Sequence, residues 1–103
     1  MVLIQSNVLE YFDDLVYTLF EDEYFGFVEN SENYVNKIVN FIFENHKTFP
    51  SRKSPFKLKH YGSNYLFYKI NSRTTWFIFF EKNNEDFIVT YLINNHCSEA
   101  KFL

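Results

Sequence analysis

Positive charge is concentrated in one segment of this chain. Residues 46–73, the basic segment, carry seven lysines and arginines and no aspartate or glutamate, although the whole chain has a net charge of −3. The seven are Lys47, Arg52, Lys53, Lys57, Lys59, Lys69 and Arg73. Such a segment predicts contact with an anionic partner. The alternative is that its lysines keep a loop solvated and protect a sheet edge from aggregation.

Side chains that move protons or stack on bases accompany this charge. His46 and His60 lie in the basic segment and His96 lies beyond it, and imidazole is suited to proton transfer near neutral pH. Tyr61 and Tyr65 have rings on which bases can stack. Cleavage of RNA by its own 2′-hydroxyl needs a base, cations at the phosphate and an acid for the leaving oxygen. The basic segment therefore contains the residue types that this reaction uses.

Composition excludes several classes of protein. With 103 residues, 47% of them hydrophobic, the chain is expected to form a single domain over residues 1–103. One cysteine, Cys97, excludes an internal disulfide and a cysteine-cluster zinc site. We find no secretion signal and no apolar run of about 18 residues, so we expect a cytoplasmic protein without a membrane span. The histidines are scattered and no phosphate-binding glycine loop occurs, so neither metal nor cofactor is expected.

Two amphipathic helices are predicted in the first half of the chain. After a short strand at residues 2–4, apolar residues recur every three or four positions. Asn7, followed by Glu10 three residues later, is typical of the start of a helix, which should end around residues 22–26. Ser31 is typical of the start of a second helix, which ends near the beginning of the basic segment.

In the second half of the chain, residue types alternate as they do in β-strands. After a loop at 50–55, strands are predicted at 65–70, 75–81 and 87–93, with a further candidate strand at 56–61. The last strand is nearly all apolar and is expected to be central and buried on both faces, while the first strand should lie at an edge or pair across the sheet. This order predicts an α+β fold. An N-terminal strand and a helical hairpin would pack on a mainly antiparallel sheet of about four strands.

The segment LKH before Gly62 and the strands YLFYKIN and WFIFFEKNNEDFIVTYLINNH carry a family resemblance. Over residues 56–96 they resemble toxins of the RelE/ParE superfamily, from bacterial type II toxin–antitoxin systems. The resemblance implies a RelE/ParE-like, microbial-RNase-like version of the fold, and a cognate antitoxin that covers the toxin. Members of the RelE branch cleave mRNA, typically on the ribosome, whereas members of the ParE branch act on DNA gyrase.

The resemblance also implies catalytic residues. Lys57 and Lys59 match a segment that places two lysines near the scissile phosphate, and on a strand they would share one face. Lys69 matches a basic position of the family strand, and His96 matches the position after the last strand. Arg73 would replace an arginine that relatives carry slightly further along. Glycine before the terminal histidine, usual in the family, is absent here.

Four further residues are predicted to contact RNA, namely Lys53, His60, Tyr61 and Tyr65. Two competing interpretations remain for these residues. The chain could be a ParE-like toxin directed at gyrase, or a non-catalytic interaction domain with the same fold. In either case His60 and His96 would have structural roles, such as bonding to a backbone carbonyl.

Overall fold

A computed structural model describes residues 1–21 and 28–103, within which two helices lie against a five-stranded sheet. The helices are α1 (Ser6–Glu21) and α2 (Val28–Asn45). The strands are β1 (Val2–Ile4), β2 (Arg52–Lys53), β3 (Asn64–Lys69), β4 (Thr75–Asn83) and β5 (Asp86–Asn94). Two short 3-10 helices, Phe56–Leu58 and Ser98–Phe102, precede β3 and follow β5.

The sheet is mixed, in the order β1-β5-β4-β3-β2. β1 is parallel to β5, and the other three pairings between the described strands are antiparallel. The predicted α+β class is confirmed, and so is the position of the first strand at an edge. The sheet has five strands rather than the four predicted, because β2 forms in a stretch predicted as loop.

Both faces of the sheet are covered, and a separate hydrophobic core lies between the sheet and each of the two layers that cover it. The helices contribute Val8, Ile38 and Ile42, which pack with Trp76 and Ile78 of β4. On the opposite face, which we call the far face, a smaller core is covered by the two 3-10 helices and the loop before β3. Its buried members are Leu58, Tyr65, Phe79 and Ile93. β4 alternates between the two cores and is therefore buried on both faces.

The last strand, β5, is not buried along its whole length as predicted. β5 lies inside the sheet between β1 and β4, and Phe87 and Val89 are buried against the helices. A bulge then breaks the alternation, because Phe79 pairs with Tyr91 whereas Phe80 pairs with Val89. Tyr91 therefore turns to the far face, where it remains 38% exposed. The expectation that β5 is buried on both faces is wrong at this position.

Both predicted helix caps are wrong. α1 begins one residue before Asn7, whose side-chain amide donates to the backbone oxygen of Thr90 at 3.1 Å and so ties the helix to β5. α2 begins at Val28, so Ser31 lies inside the helix and is fully buried. Asn7 makes a tertiary hydrogen bond, and Ser31 is buried in the tertiary structure. Rules for helix caps consider only the local sequence, so they detect neither role. The predicted end of the first helix, at residues 22–26, lies outside the described residues.

The candidate strand at 56–61 is also absent. Phe56–Leu58 form a 3-10 helix, in which the amide of Leu58 donates to the carbonyl of Pro55 at 2.9 Å. The apolar alternation misled the prediction because only Leu58 points into the core, whereas Phe56 is 89% exposed. The strand in this region is β2 instead, where Arg52 pairs with Tyr65.

Gly62 allows the loop before β3 to approach the sheet. A Cβ at this position would lie 2.6 Å from Thr90 Oγ1 and 2.9 Å from the backbone nitrogen of Phe80. Gly62→Ala is therefore expected to lower the free energy of unfolding by about 1–3 kcal/mol, since the loop must move away from the sheet. Urea denaturation measures this change. Ser51→Ala, at an exposed site, is the control, and equal stability of the two variants would contradict the expectation.

Candidate functional site

A groove of about 660 Å³ lies on the far face of the sheet, beside the C-terminal 3-10 helix, and we call it the sheet groove. Its floor is aromatic, formed by Tyr65, Phe67 and Phe77, and Arg52 and Lys101 lie on its walls. Among the described residues, no aspartate or glutamate lines it. The groove therefore combines flat apolar rings with positive charge, which is the combination that holds single-stranded nucleic acid.

Aromatic rings hold the cations of this groove in place. The Arg52 guanidinium lies 5.2 Å from the centre of the Phe67 ring. Two ammonium groups lie over the ring of Phe102, Lys57 Nζ at 4.7 Å and Lys101 Nζ at 5.2 Å. These are cation–π distances, and they leave the charges without a carboxylate partner among the described residues. Three positive charges are thus available to an anionic ligand.

A second depression, of about 520 Å³, lies on the same face nearer to α1. Lys59, His60 and Tyr61 line it from the loop before β3, and Glu81 and Tyr91 line it from the sheet. We call it the ring cleft. Lys57 and Lys59 therefore serve different depressions and do not share a strand face as predicted. The 3-10 helix separates them, because residues two apart on it point about 120° away from each other.

A third group of predicted residues lies at the end of the sheet, around the β3–β4 turn. Nε2 of His96 is 3.2 Å from Thr74 Oγ1, and the His96 amide donates to Asn94 Oδ1 at 2.8 Å. Lys69 and Arg73 are exposed at this same end, where Lys69 pairs with Thr75. His96 itself does not line the sheet groove, although its neighbours in sequence do.

Asn95 connects this turn to the groove. Its side-chain oxygen accepts from the amide of Thr75 at 2.9 Å, and its side-chain nitrogen donates to the carbonyl of Arg73 at 3.0 Å. Asn95 also lines the sheet groove. Asn95 thus fixes the chain just before His96.

The predicted residues are therefore distributed over three neighbouring places. Tyr65 lies in the sheet groove and Lys57 beside it, while Lys53 is exposed on the edge strand β2. The prediction missed Arg52 and Lys101. Arg52 was part of the basic segment but lay in a predicted loop, and Lys101 lies in a tail that carries no sequence signal.

Burial raises the pKa of two tyrosines, Tyr61 of the ring cleft and Tyr11 of α1. Burial raises the pKa of the Tyr61 phenol, and the neighbouring Tyr91 and Glu99 raise it further. Burial is also the main cause that raises the pKa of Tyr11 to about 12. Both phenols are protonated at neutral pH, as tyrosines ordinarily are, and the raised pKa extends this state to higher pH.

The described part of the chain, residues 1–21 and 28–103, has neither a metal-binding cluster nor a membrane-spanning helix. No three His, Cys, Asp or Glu side chains come together there as possible metal ligands. None of the helices in that part of the chain is both long and apolar enough to cross a membrane.

Comparison of the chain with models of protein families, with curated proteins and with solved structures found no match.

Proposed function

We propose that this chain is the toxin of a bacterial type II toxin–antitoxin system, an mRNA endoribonuclease of RelE type that inhibits translation. The observation that carries the proposal is the sheet groove, where Arg52 and Lys101 stand over an aromatic floor without an acidic side chain among the described lining residues. A helical hairpin on a mainly antiparallel sheet is compatible with the fold that the family resemblance implies.

In this proposal the groove holds the scissile phosphate. Arg52, Lys101 and Lys57 stabilise the negative charge that develops as the 2′-hydroxyl attacks phosphorus. His96, which follows the groove residue Asn95, transfers a proton to the 5′-oxygen as it leaves. The proton of the attacking 2′-hydroxyl passes to water and the bond between phosphorus and the 5′-oxygen breaks, so each cleavage leaves a 2′,3′-cyclic phosphate and a 5′-hydroxyl. No cofactor takes part in the proposed reaction.

The neighbouring predicted residues bind the rest of the RNA. Tyr65 lies under a base in the groove, and Lys53, Lys69 and Arg73 contact phosphates around its rim. His60 and Tyr61, with Lys59, contact nucleotides beyond the groove. The partner is an antitoxin with an acidic segment, because opposite charge speeds its association with the cations of the groove.

Induction in a bacterial host tests the proposal. The wild-type chain is expected to stop growth and to cleave mRNA. The double variant Arg52→Gln/Lys101→Gln should cleave about 10²–10⁴-fold more slowly, since each of the two charged contacts to phosphate contributes about 1.5–3 kcal/mol. Lys82→Gln is the matched control, because Lys82 lies in the β4–β5 hairpin away from the groove. Equal cleavage by the double variant and the control would contradict this site.

One observation favours a second candidate, a ParE-like toxin directed at gyrase. None of the described residues that line the sheet groove is a histidine, and His96 is engaged with Thr74 at the end of the sheet. Growth arrest with intact mRNA and with loss of DNA supercoiling would support this candidate. A non-catalytic domain has less support, because Lys57, Lys59, Lys69 and Arg73 are exposed rather than buried against the helices.

A further inference from the structure

Three aromatic rings form a ladder in the ring cleft. Tyr61 stacks on Tyr91 with centroids 4.1 Å apart and ring planes at 9°. His60 lies on Tyr61 at 4.2 Å with a tilt of 50°. The two ends of the ladder, His60 and Tyr91, are both exposed, whereas Tyr61 between them is half-buried. Both end residues of the ladder are therefore accessible to a ligand.

Contacts with β4 and β5 hold this ladder in place. Tyr61 packs edge-on against the fully buried Phe79 at 5.4 Å, and its carbonyl accepts a hydrogen bond from Thr90 Oγ1. Thr90 is the extra residue of the β5 bulge, which is also the reason that Tyr91 faces this side of the sheet. The ladder is therefore preorganised, and a ligand that stacks on it needs little rearrangement of the protein.

Polar groups around the ladder can form hydrogen bonds with the edge of a nucleobase. Gln5 and Lys59 line the cleft. The Glu81 carboxylate accepts from the amide and the hydroxyl of Ser63, each at 3.0 Å, and its oxygens retain further lone pairs. Amide, ammonium and carboxylate groups next to an open ring are the means by which proteins bind an unstacked base.

We propose that the ring cleft is a second nucleotide subsite, in which a base of single-stranded RNA stacks on the ladder while the scissile phosphate occupies the sheet groove. Both depressions lie on the far face, and Phe79 packs against Tyr61 of the cleft as well as against Tyr65 of the groove. One RNA strand can therefore reach both. This subsite rests on the proposed function, and it assigns to Tyr91 a binding role in that function.

RNA fits the cleft better than a peptide does. Lys59 lines the cleft and can contact a phosphate of the RNA backbone. The exposed apolar surface consists of ring faces rather than aliphatic side chains, and every base has a face that stacks on such rings. A protein segment that occupied the cleft would be detected as an alternative outcome below.

Binding of single-stranded 2′-O-methyl RNA to the purified chain tests the subsite, because this RNA lacks the attacking hydroxyl and is bound without being cleaved. Tyr91→Leu is expected to raise Kd about tenfold, the effect typical of losing one base–aromatic stack. Tyr91→Phe keeps the ring and should bind as the wild type does. His60→Ala, at the other exposed end of the ladder, provides a second variant whose folding does not depend on β5. Circular dichroism confirms that each variant is folded.

The outcomes separate this inference from the proposed function. Wild-type affinity in both Tyr91→Leu and His60→Ala, with RNA still bound and mRNA still cleaved, overturns the subsite alone. Absence of RNA binding by the wild-type chain overturns both. If Tyr91→Leu loses affinity for a co-purifying protein but not for RNA, the cleft is a protein site and the inference is wrong. Loss of RNA affinity in Tyr91→Leu but not in Tyr91→Phe supports it.

Discussion

Phe79→Ala is expected to lower the free energy of unfolding by about 3–5 kcal/mol, the range typical of phenylalanine truncation in a core. The Phe79 side chain is fully buried in the central strand β4. It contacts Tyr61 and Tyr65 with centroid distances of 5.4 Å and 5.7 Å. Its removal leaves a cavity under both depressions, so RNA affinity should fall together with stability. Urea denaturation and RNA binding measure the two effects.

The control for this variant is Phe43→Ala. Phe43 lies on α2 and is 51% exposed, so its truncation should change stability by only about 0.5 kcal/mol. The far-face core would be shown to be unimportant if the two variants were equally stable. Retained RNA affinity in Phe79→Ala would mean that the groove and the cleft do not depend on the ring between them.

His96→Ala is expected to lower kcat for RNA cleavage by about 10²–10⁴, the contribution typical of a general acid or base. KM should change little, because in the proposal Arg52 and Lys101, which line the groove, bind the phosphate, and the proton of His96 is needed only as the 5′-oxygen leaves. Single-turnover cleavage of a short RNA, with RNA affinity measured in parallel, separates the two constants. Such a split is the behaviour of a residue that acts only in the transition state.

His46→Gln is the matched control, since it removes an imidazole elsewhere. His46 Nδ1 is 3.2 Å from the carbonyl oxygen of Ile42, and its ring packs on Phe87 at 5.6 Å, on the helix face. Equal cleavage by His96→Ala and His46→Gln would exclude His96 as the proton-transfer group. No cleavage by the wild-type chain, in a host that nevertheless stops growing, would favour the gyrase-directed alternative.

The coarse fold was predictable because it depends on local periodicity. Apolar residues spaced at three and four positions indicated α1 and α2, and alternation indicated β3 and β4. These patterns persist over several turns or residues, so a single irregular position does not change the prediction. Short elements lack this redundancy. β2 has two residues and the first 3-10 helix has three, and both were assigned wrongly.

The candidate site was predictable only as a set of residue types. Seven positive charges in one segment were visible in the sequence, but their partners were not. Lys57 lies over Phe102, which is 45 positions further along the chain, whereas Lys59 lines another depression. Arg52 lies on the groove because β2 pairs with β3 and brings it next to Tyr65. Each of these contacts joins segments that are distant in sequence.

By itself, the sequence determined the α+β class, the two helices, the three long strands and the concentration of charge. Periodicity and composition are local properties, and burial of apolar surface selects one arrangement that satisfies them. Tertiary structure alone decided which basic residues share a groove and that Tyr91 faces the ring cleft. The reason is the bulge at Thr90, because one extra residue in β5 reverses the faces of the residues that follow. The basic segment therefore supplies charge to two separate depressions, and the fold of β5 completes the second.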